Sequence, residues 1–174
     1  MAGLAIAFGS GAMTNSIREI GDARCILAIG TNTTEAHPVI ALEIVRASRK
    51  GGKVIVANAR EIPLVRYADI WLRHRPGSDV ALLMGMMRVI VEEGLLDRGF
   101  IEERCENFDS FKRSLDSFGL DTAEKITGVP GGKIAEAARL YGSAKPASMP
   151  THEITDSSLP STSRPSSCPR ERRA

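Results

Sequence analysis

Cysteine is scarce in this sequence and scattered: Cys25, Cys105 and Cys168 form no C-x-x-C pair. That spacing argues against a zinc knuckle and a secreted disulfide framework, and it fits a reducing, cytoplasmic setting. An excess of charge is lacking too, since 23 Lys plus Arg stand against 21 Asp plus Glu for a net charge of +2. No general electrostatic pull toward nucleic acid or an anionic membrane follows from such a balance, and neither is expected as a partner. No window reaches the roughly 18 apolar residues that a bilayer helix requires. The apolar opening MAGLAIAFGSGAM has no basic flank and is interrupted by Gly and Ser, which excludes a signal peptide. Membrane insertion is therefore not expected.

Several chemical signatures are missing as well. There is no G-x-x-x-x-G-K-[ST] loop, no H-E-x-x-H helix and no G-x-S-x-G elbow. No G-x-G-x-x-G follows a strand, because GSGAM at residues 9–13 precedes the first convincing one, so a plain NAD site is disfavoured.

The chain does have enough apolar residues, 43% of 174, for one domain with a core of ordinary size. Between residues 14 and 94, short β-branched runs alternate with segments of helical period, which reads as βαβ units around a mostly parallel sheet. Thr14, Asn15 and Ser16 offer N-caps, and Ser16 with Glu19 fits a capping box for a short helix through Ile20. A strand follows from Arg24 to Ile29, closed by Gly30 and the polar loop TNTTEA. His37-Pro38 opens a helix whose apolar side carries Ile40, Ile44 and Ala47, and Gly51-Gly52 ends it. KVIVA, Lys53 to Ala57, is apolar along four positions as a strand covered on both faces should be.

Asn58-Ala59-Arg60 then turns the chain into a short helical segment, Glu61 to Tyr67. The alternation from Asp69 to Arg75 predicts a strand nearer the sheet edge. After the turn RPGSD, Ser78 or Asp79 caps a helix, VALLMGMMRVIVEE, apolar on nearly every side, which predicts burial within a larger assembly. Helical segments are expected through Phe100 and Ile101, around Phe108 to Phe118, and from Lys133 to Tyr141. The fold class expected is α/β: a three-layer αβα, dinucleotide-binding-like domain over residues 1–148, followed in its later part by helices. Residues 149–174 hold six Ser, four Pro and four Arg with no periodicity, and read as a disordered, non-native tail.

In a parallel sheet, ligands bind beyond the carboxyl ends of the strands, where loops meet helix N-termini whose free N–H groups attract phosphate. Three loops have that position. Gly30 to Ala36 offers close backbone approach at Gly30, donor and acceptor at Asn32, and an acceptor at Glu35. Asn58 to Arg60 brings a guanidinium suited to a phosphate or purine edge. Arg75 to Asp79 opens the long helix through Gly77 and Ser78. Each has a plainer alternative: a glycine serving turn chemistry, Asn32 and Glu35 solvated, Arg60 and Arg75 as surface cations, and His37 as a cap. Met84, Met86 and Met87 read as packing inside an apolar helix, and Cys25 as an inert strand residue. No catalytic group and no metal ligand is visible in the residues.

The strings GSGAMTNSIREI, AIGTNTTEAHPVIA and KGGKVIVANAREIPLVRYADIWLRHRPGSDVALLMGMMRVIVEEGL, with the later EKITGVP and AARLY, resemble the molybdopterin oxidoreductases. Within them they are most similar to formate dehydrogenase α subunits, from Ala2 to about Ser148. The resemblance implies an αβα layer that holds one of two pterin–guanine dinucleotides chelating molybdenum or tungsten. It implies Gly30, Asn32, Glu35, Ala36, Ala57, Asn58, Ala59, Arg60, Gly77, Ser78 and Asp79 as the residues lining guanosine and diphosphate. The family usually has Asp-Pro-Arg where this chain has Asn58-Ala59-Arg60, which replaces an acceptor for guanine donors with a neutral amide.

The resemblance also implies what the rest of such an enzyme would contain. The metal-ligating cysteine or selenocysteine lies just before the family's V-A-G-L, which stands here as Met1-Ala2-Gly3-Leu4. The [4Fe-4S] segment, the second dinucleotide domain and the iron–sulfur electron-transfer subunits would be partners outside this chain, so formate oxidation by the chain alone is not expected. Met1 in place of Val fits a reading frame started at a GTG codon after an in-frame TGA, with the tail after Ser148 arising by frameshift. Two rival readings stand beside this one: a non-redox nucleotide-binding or interaction module, and a gene remnant without function.

Overall fold

The computed structural model describes residues 16–150. Within them a short helix α1 (Ile17–Ile20) leads to β1 (Cys25–Ile29). A helical turn α2 (Thr33–Ala36) and helix α3 (Pro38–Arg49) connect it to β2 (Lys53–Ala57). A 3-10 turn at Pro63–Tyr67 precedes β3 (Ile70–Leu72). Five helices follow, α4 (Asp79–Glu92), α5 (Arg98–Arg104), α6 (Phe108–Leu115), α7 (Leu120–Thr127) and α8 (Gly131–Ser143), and then β4 (Ala147–Ser148). The sheet order is β3-β2-β1-β4 and every pairing is parallel.

Alternation along the central strands sends side chains to two separate cores. Cys25, Leu27, Ile29, Ile55, Ala57, Ile70 and Leu72 pack on one side with Leu82, Met86 and Val89 of α4, Ala123 of α7, and Ile134 and Ala138 of α8. Ile26, Ala28, Val54 and Val56 pack on the other with Ile44 and Ala47 of α3, and with Ile62 and Leu64 around the 3-10 turn. Helices thus cover both faces, the three-layer α/β arrangement expected from the alternating pattern. Full burial of Ile26, Leu27, Ile55 and Val56 explains why β1 and β2 read as uninterrupted apolar runs. Each such side chain contributes about 1.5–3 kcal/mol on leaving water.

The differences from the sequence reading have physical causes. Helix α4 is apolar on several sides because α7 and α8 of the same chain pack against it. Its partners are therefore internal to a large extent, although Val80 at its start stays 69% exposed. Helix α7 leaves no mark in the sequence pattern, since its buried anchors are the small Ala123 and the polar Thr127, which give no apolar stripe. The expected strand 69–75 keeps only Ile70–Leu72, at the sheet edge. Asp69 turns its carboxylate to Lys53 Nζ (2.7 Å) and Val54 N (2.9 Å), and His74 leaves the ladder.

In place of a full capping box, the Ser16 hydroxyl donates to Glu19 Oε1 at 3.1 Å and makes no side-chain bond to the α1 backbone. Helix α6 stops at Leu115 rather than Phe118, and α8 extends to Gly131 and Ser143 on either side of the expected span. The chain stays beside β1 past Ser148, for Ile29 N donates to Pro150 O at 3.4 Å. GSGAM, Thr14, Asn15 and residues 151–174 lie outside the described residues.

Candidate functional site at the carboxyl ends of the strands

Because β1, β2 and β3 are parallel and in register, with Ile29 beside Ala57 and Ala57 beside Leu72, their carboxyl ends finish together. The three loops singled out in the sequence leave from that one edge. Backbone hydrogen bonds continue the ladder into them: Gly30 N donates to Ala57 O (3.0 Å) and Asn58 N to Leu72 O (3.2 Å).

Side chains then tie loop to loop. Asn58 Nδ2 donates to Thr31 O at 3.3 Å, while Asn58 Oδ1 accepts from Arg60 N at 3.0 Å, an Asx turn that shapes the second loop. Trp71 Nε1 donates to Asn58 O at 3.1 Å and fixes the same turn from β3. In the first loop Thr34 Oγ1 donates to Asn32 Oδ1 at 2.7 Å. Thr33 lies fully buried beside it, its hydroxyl without a hydrogen-bond partner among the described residues.

Gly30 (φ +60°) and Gly77 (φ +78°) both adopt the left-handed backbone that favours glycine. A Cβ at Gly30 would stand 3.7 Å from Asp79 Oδ1, and one at Gly77 would meet nothing within 4 Å. The first and third loops therefore face each other across β2 with open backbone on both sides. Gly30, Glu35, Ala36, Arg60 and Gly77 are exposed, and Asn32, Asn58, Ala59 and Asp79 are half-buried. Ala57 and Ser78 are buried. The methyl of Ala57 faces the core and the Ser78 hydroxyl donates to Arg75 O at 2.6 Å, so both can meet a ligand only through their backbone.

Two basic groups of this region behave differently. Arg60 is exposed at the edge, whereas Arg75 points its guanidinium at the end of α7, donating to Lys125 O (2.9 Å) and Ile126 O (3.5 Å). Arg75 thus closes a helix C-terminus, where a cation is favoured. His37 is exposed at the α3 N-cap and makes no side-chain cap bond.

The residue that sequence reasoning missed is His74. It is 4% exposed, with Nε2 2.9 Å from Asp79 Oδ1 and Nδ1 3.3 Å from Leu72 O. Parity was the available signal: Ile70, Leu72 and His74 alternate, so the ring belongs on the side where α4 packs.

At this edge the first-turn N–H groups of α4 have no intrahelical acceptor. Arg60 adds a cation, and Asp79, Glu35 and Asn32 add acceptors. A diphosphate with an attached sugar or base matches that donor and acceptor set. Among the described residues no group of three His, Cys, Asp or Glu is placed to hold a metal ion. Two shallow concavities of about 310 Å³ each lie elsewhere, one beside Val91, Ile101 and Phe108 and one at the opposite end of the sheet beside Asp22, Gly51 and Gly52.

Residues 3–161 match the family profile described as molybdopterin oxidoreductase. The chain is 47% identical over 147 residues to the F420-dependent formate dehydrogenase 1 subunit alpha of Methanococcus maripaludis, covering 84% of this chain and 22% of that one. It is 38% identical over 149 residues to formate dehydrogenase H of Escherichia coli, covering 86% and 21%. Among solved structures, acetylene hydratase from Pelobacter acetylenicus superposes with a TM-score of 0.70 at 33% identity, over 77% of this chain and 20% of the other. The chain thus spans about a fifth of the length of these relatives.

Proposed function

Because this chain belongs to the molybdopterin oxidoreductase family, we propose that it forms one dinucleotide-binding layer of a formate dehydrogenase catalytic subunit. The carboxyl edge of the sheet grips the guanosine and diphosphate of a pterin–guanine dinucleotide carrying molybdenum or tungsten. Gly30 and Gly77 let the backbone approach, the α4 N-terminus and Arg60 hold the diphosphate, and Asn32, Glu35 and Asp79 accept from ribose or base. Asn58 shapes the cradle from within.

When bound, the metal centre of that group supplies the two-electron chemistry by which the parent enzyme converts formate to carbon dioxide, two electrons and a proton, or the reverse. The remaining domains of the catalytic subunit, with [4Fe-4S] clusters and iron–sulfur electron-transfer subunits, complete the enzyme in the cytoplasm. None of the helices among the described residues is long and apolar enough to cross a membrane.

The observation that carries this reading is the convergence of the three loops, with Gly30 opposite Asp79 and Asn58 linked to Thr31. Production of the chain in a host that makes the cofactor, followed by metal analysis and fluorescence of the oxidised pterin, tests it. Molybdenum or tungsten and pterin should travel with the folded chain. A folded, cofactor-free chain would instead support a module without redox function.

A further inference from the structure

An aspartate in the first turn of a helix ordinarily turns back toward its own helix's free N–H groups, where the positive end of the dipole attracts it. Asp79 is in that position, yet α4 has no side-chain cap bond, and the carboxylate is bound by a residue five positions upstream. His74 is held between Leu72 O and Asp79 Oδ1, its side chain 3% exposed and that of Asp79 24% exposed. The carboxylate and the Leu72 carbonyl both only accept, and the shorter contact is the one to the carboxylate, so Nε2 is assigned as its donor while Nδ1 lies beside Leu72 O. Leu72 O already accepts from Asn58 N and His74 N, so the carbonyl beneath the ring is itself fixed by the sheet edge.

The ring therefore occupies Oδ1 of Asp79, the oxygen that lies toward Gly30, 3.7 Å from where a Cβ would stand there. The second oxygen and the first-turn amides of α4 are left to a ligand.

We propose that His74 is a positioning residue for the nucleotide site. It holds the Asp79 carboxylate as an acceptor for a ribose hydroxyl or base N–H, and keeps the α4 amides clear for the diphosphate. The inference rests on the cofactor-edge reading above and deepens it, for the ligand class is a ribonucleoside diphosphate and the determinant is a buried His–Asp pair.

The test is the affinity of the full chain for guanosine diphosphate, measured by titration calorimetry for wild type, His74→Leu, His74→Gln, Asp79→Asn and the double variant His74→Leu/Asp79→Asn. Loss of the pair should weaken binding about tenfold, the effect expected of a coupled neighbour. His74→Gln, which can still donate to Asp79, should stay within about threefold of wild type. The double variant should bind no more weakly than Asp79→Asn alone, because His74 acts through Asp79. If the leucine variant does not fold, His74→Asn, whose amide is too short to reach Asp79, takes its place. Unchanged binding in His74→Leu, or additive losses in the double variant, overturns the inference while leaving the site reading intact. Absence of guanosine diphosphate binding by the wild-type chain overturns both.

Discussion

Asn58 Nδ2 reaches the carbonyl oxygen of Thr31 across 3.3 Å, joining the loop after β2 to the loop after β1. Its other end, Oδ1, receives the Arg60 N–H. Both halves of the amide are therefore used inside the protein, and each requires a different chemistry: one donor and one acceptor.

An aspartate at this position keeps only the acceptor. Asn58→Asp should leave the Arg60 turn in place but set a carboxylate oxygen against the Thr31 carbonyl, costing about 1–2 kcal/mol of stability. Chemical denaturation at pH 7 reads this directly, and a variant as stable as wild type would show that the Asn58–Thr31 bond contributes nothing.

At Gly85 two effects oppose each other. Alanine would improve helix propensity in α4 by about 1 kcal/mol, but its Cβ would lie 2.8 Å from Ala123 Cβ of α7. Neither methyl carbon can rotate away, and overpacking of this kind costs about 1–3 kcal/mol. Gly85→Ala should therefore lower the melting temperature, and a rise would mean that α4 and α7 part easily.

Asp69 gives the fold an acid-sensitive joint. Burial works to raise its pKa, but the Lys53 ammonium and the Val54 N–H outweigh that and hold the carboxyl below its ordinary value. A group depressed in the folded state stabilises above its unfolded pKa, and the contribution disappears as pH falls through the folded value. Asp69→Ala should cost about 1–2 kcal/mol at pH 7. The gap to wild type should narrow in the acid range below the ordinary carboxylate pKa of about 4. A gap independent of pH would exclude the charge as its origin.

The described cysteines should differ in reactivity. Cys25 is fully buried in β1, and burial pushes its thiol up to about 11, whereas Cys105 is exposed after α5. Alkylation at pH 8 with peptide mapping should modify Cys105 and leave Cys25 intact until the chain is unfolded. Modification of native Cys25 would mean that the β1–β4 edge opens readily.

The legible parts of this fold are those where one residue pattern admits one physical solution. KVIVA could only be a strand covered on both faces, and the glycines ending β1 and opening α4 marked the turns where the backbone takes a positive φ. Three strand ends with polar loops then placed the candidate edge. Elsewhere the determining contact is a polar bond that the apolar pattern does not record. Thr127 reads as a surface residue, yet its hydroxyl donates to Ala123 O at 2.7 Å and accepts from Val129 N at 3.1 Å inside the core. His74 reads as a strand residue because nothing local announces Asp79 as its partner. The apolar sides of α4 pointed to partners without saying that α7 and α8 would be among them.

This chain should bind a guanine nucleotide at the carboxyl edge of its sheet. Amide chemical-shift mapping of the folded chain with guanosine diphosphate tests it most directly. Perturbations should cluster at residues 30–36, 57–60 and 77–79. Shifts confined to the far end of the sheet, around Asp22, Gly51 and Gly52, or no shifts at all, would contradict it.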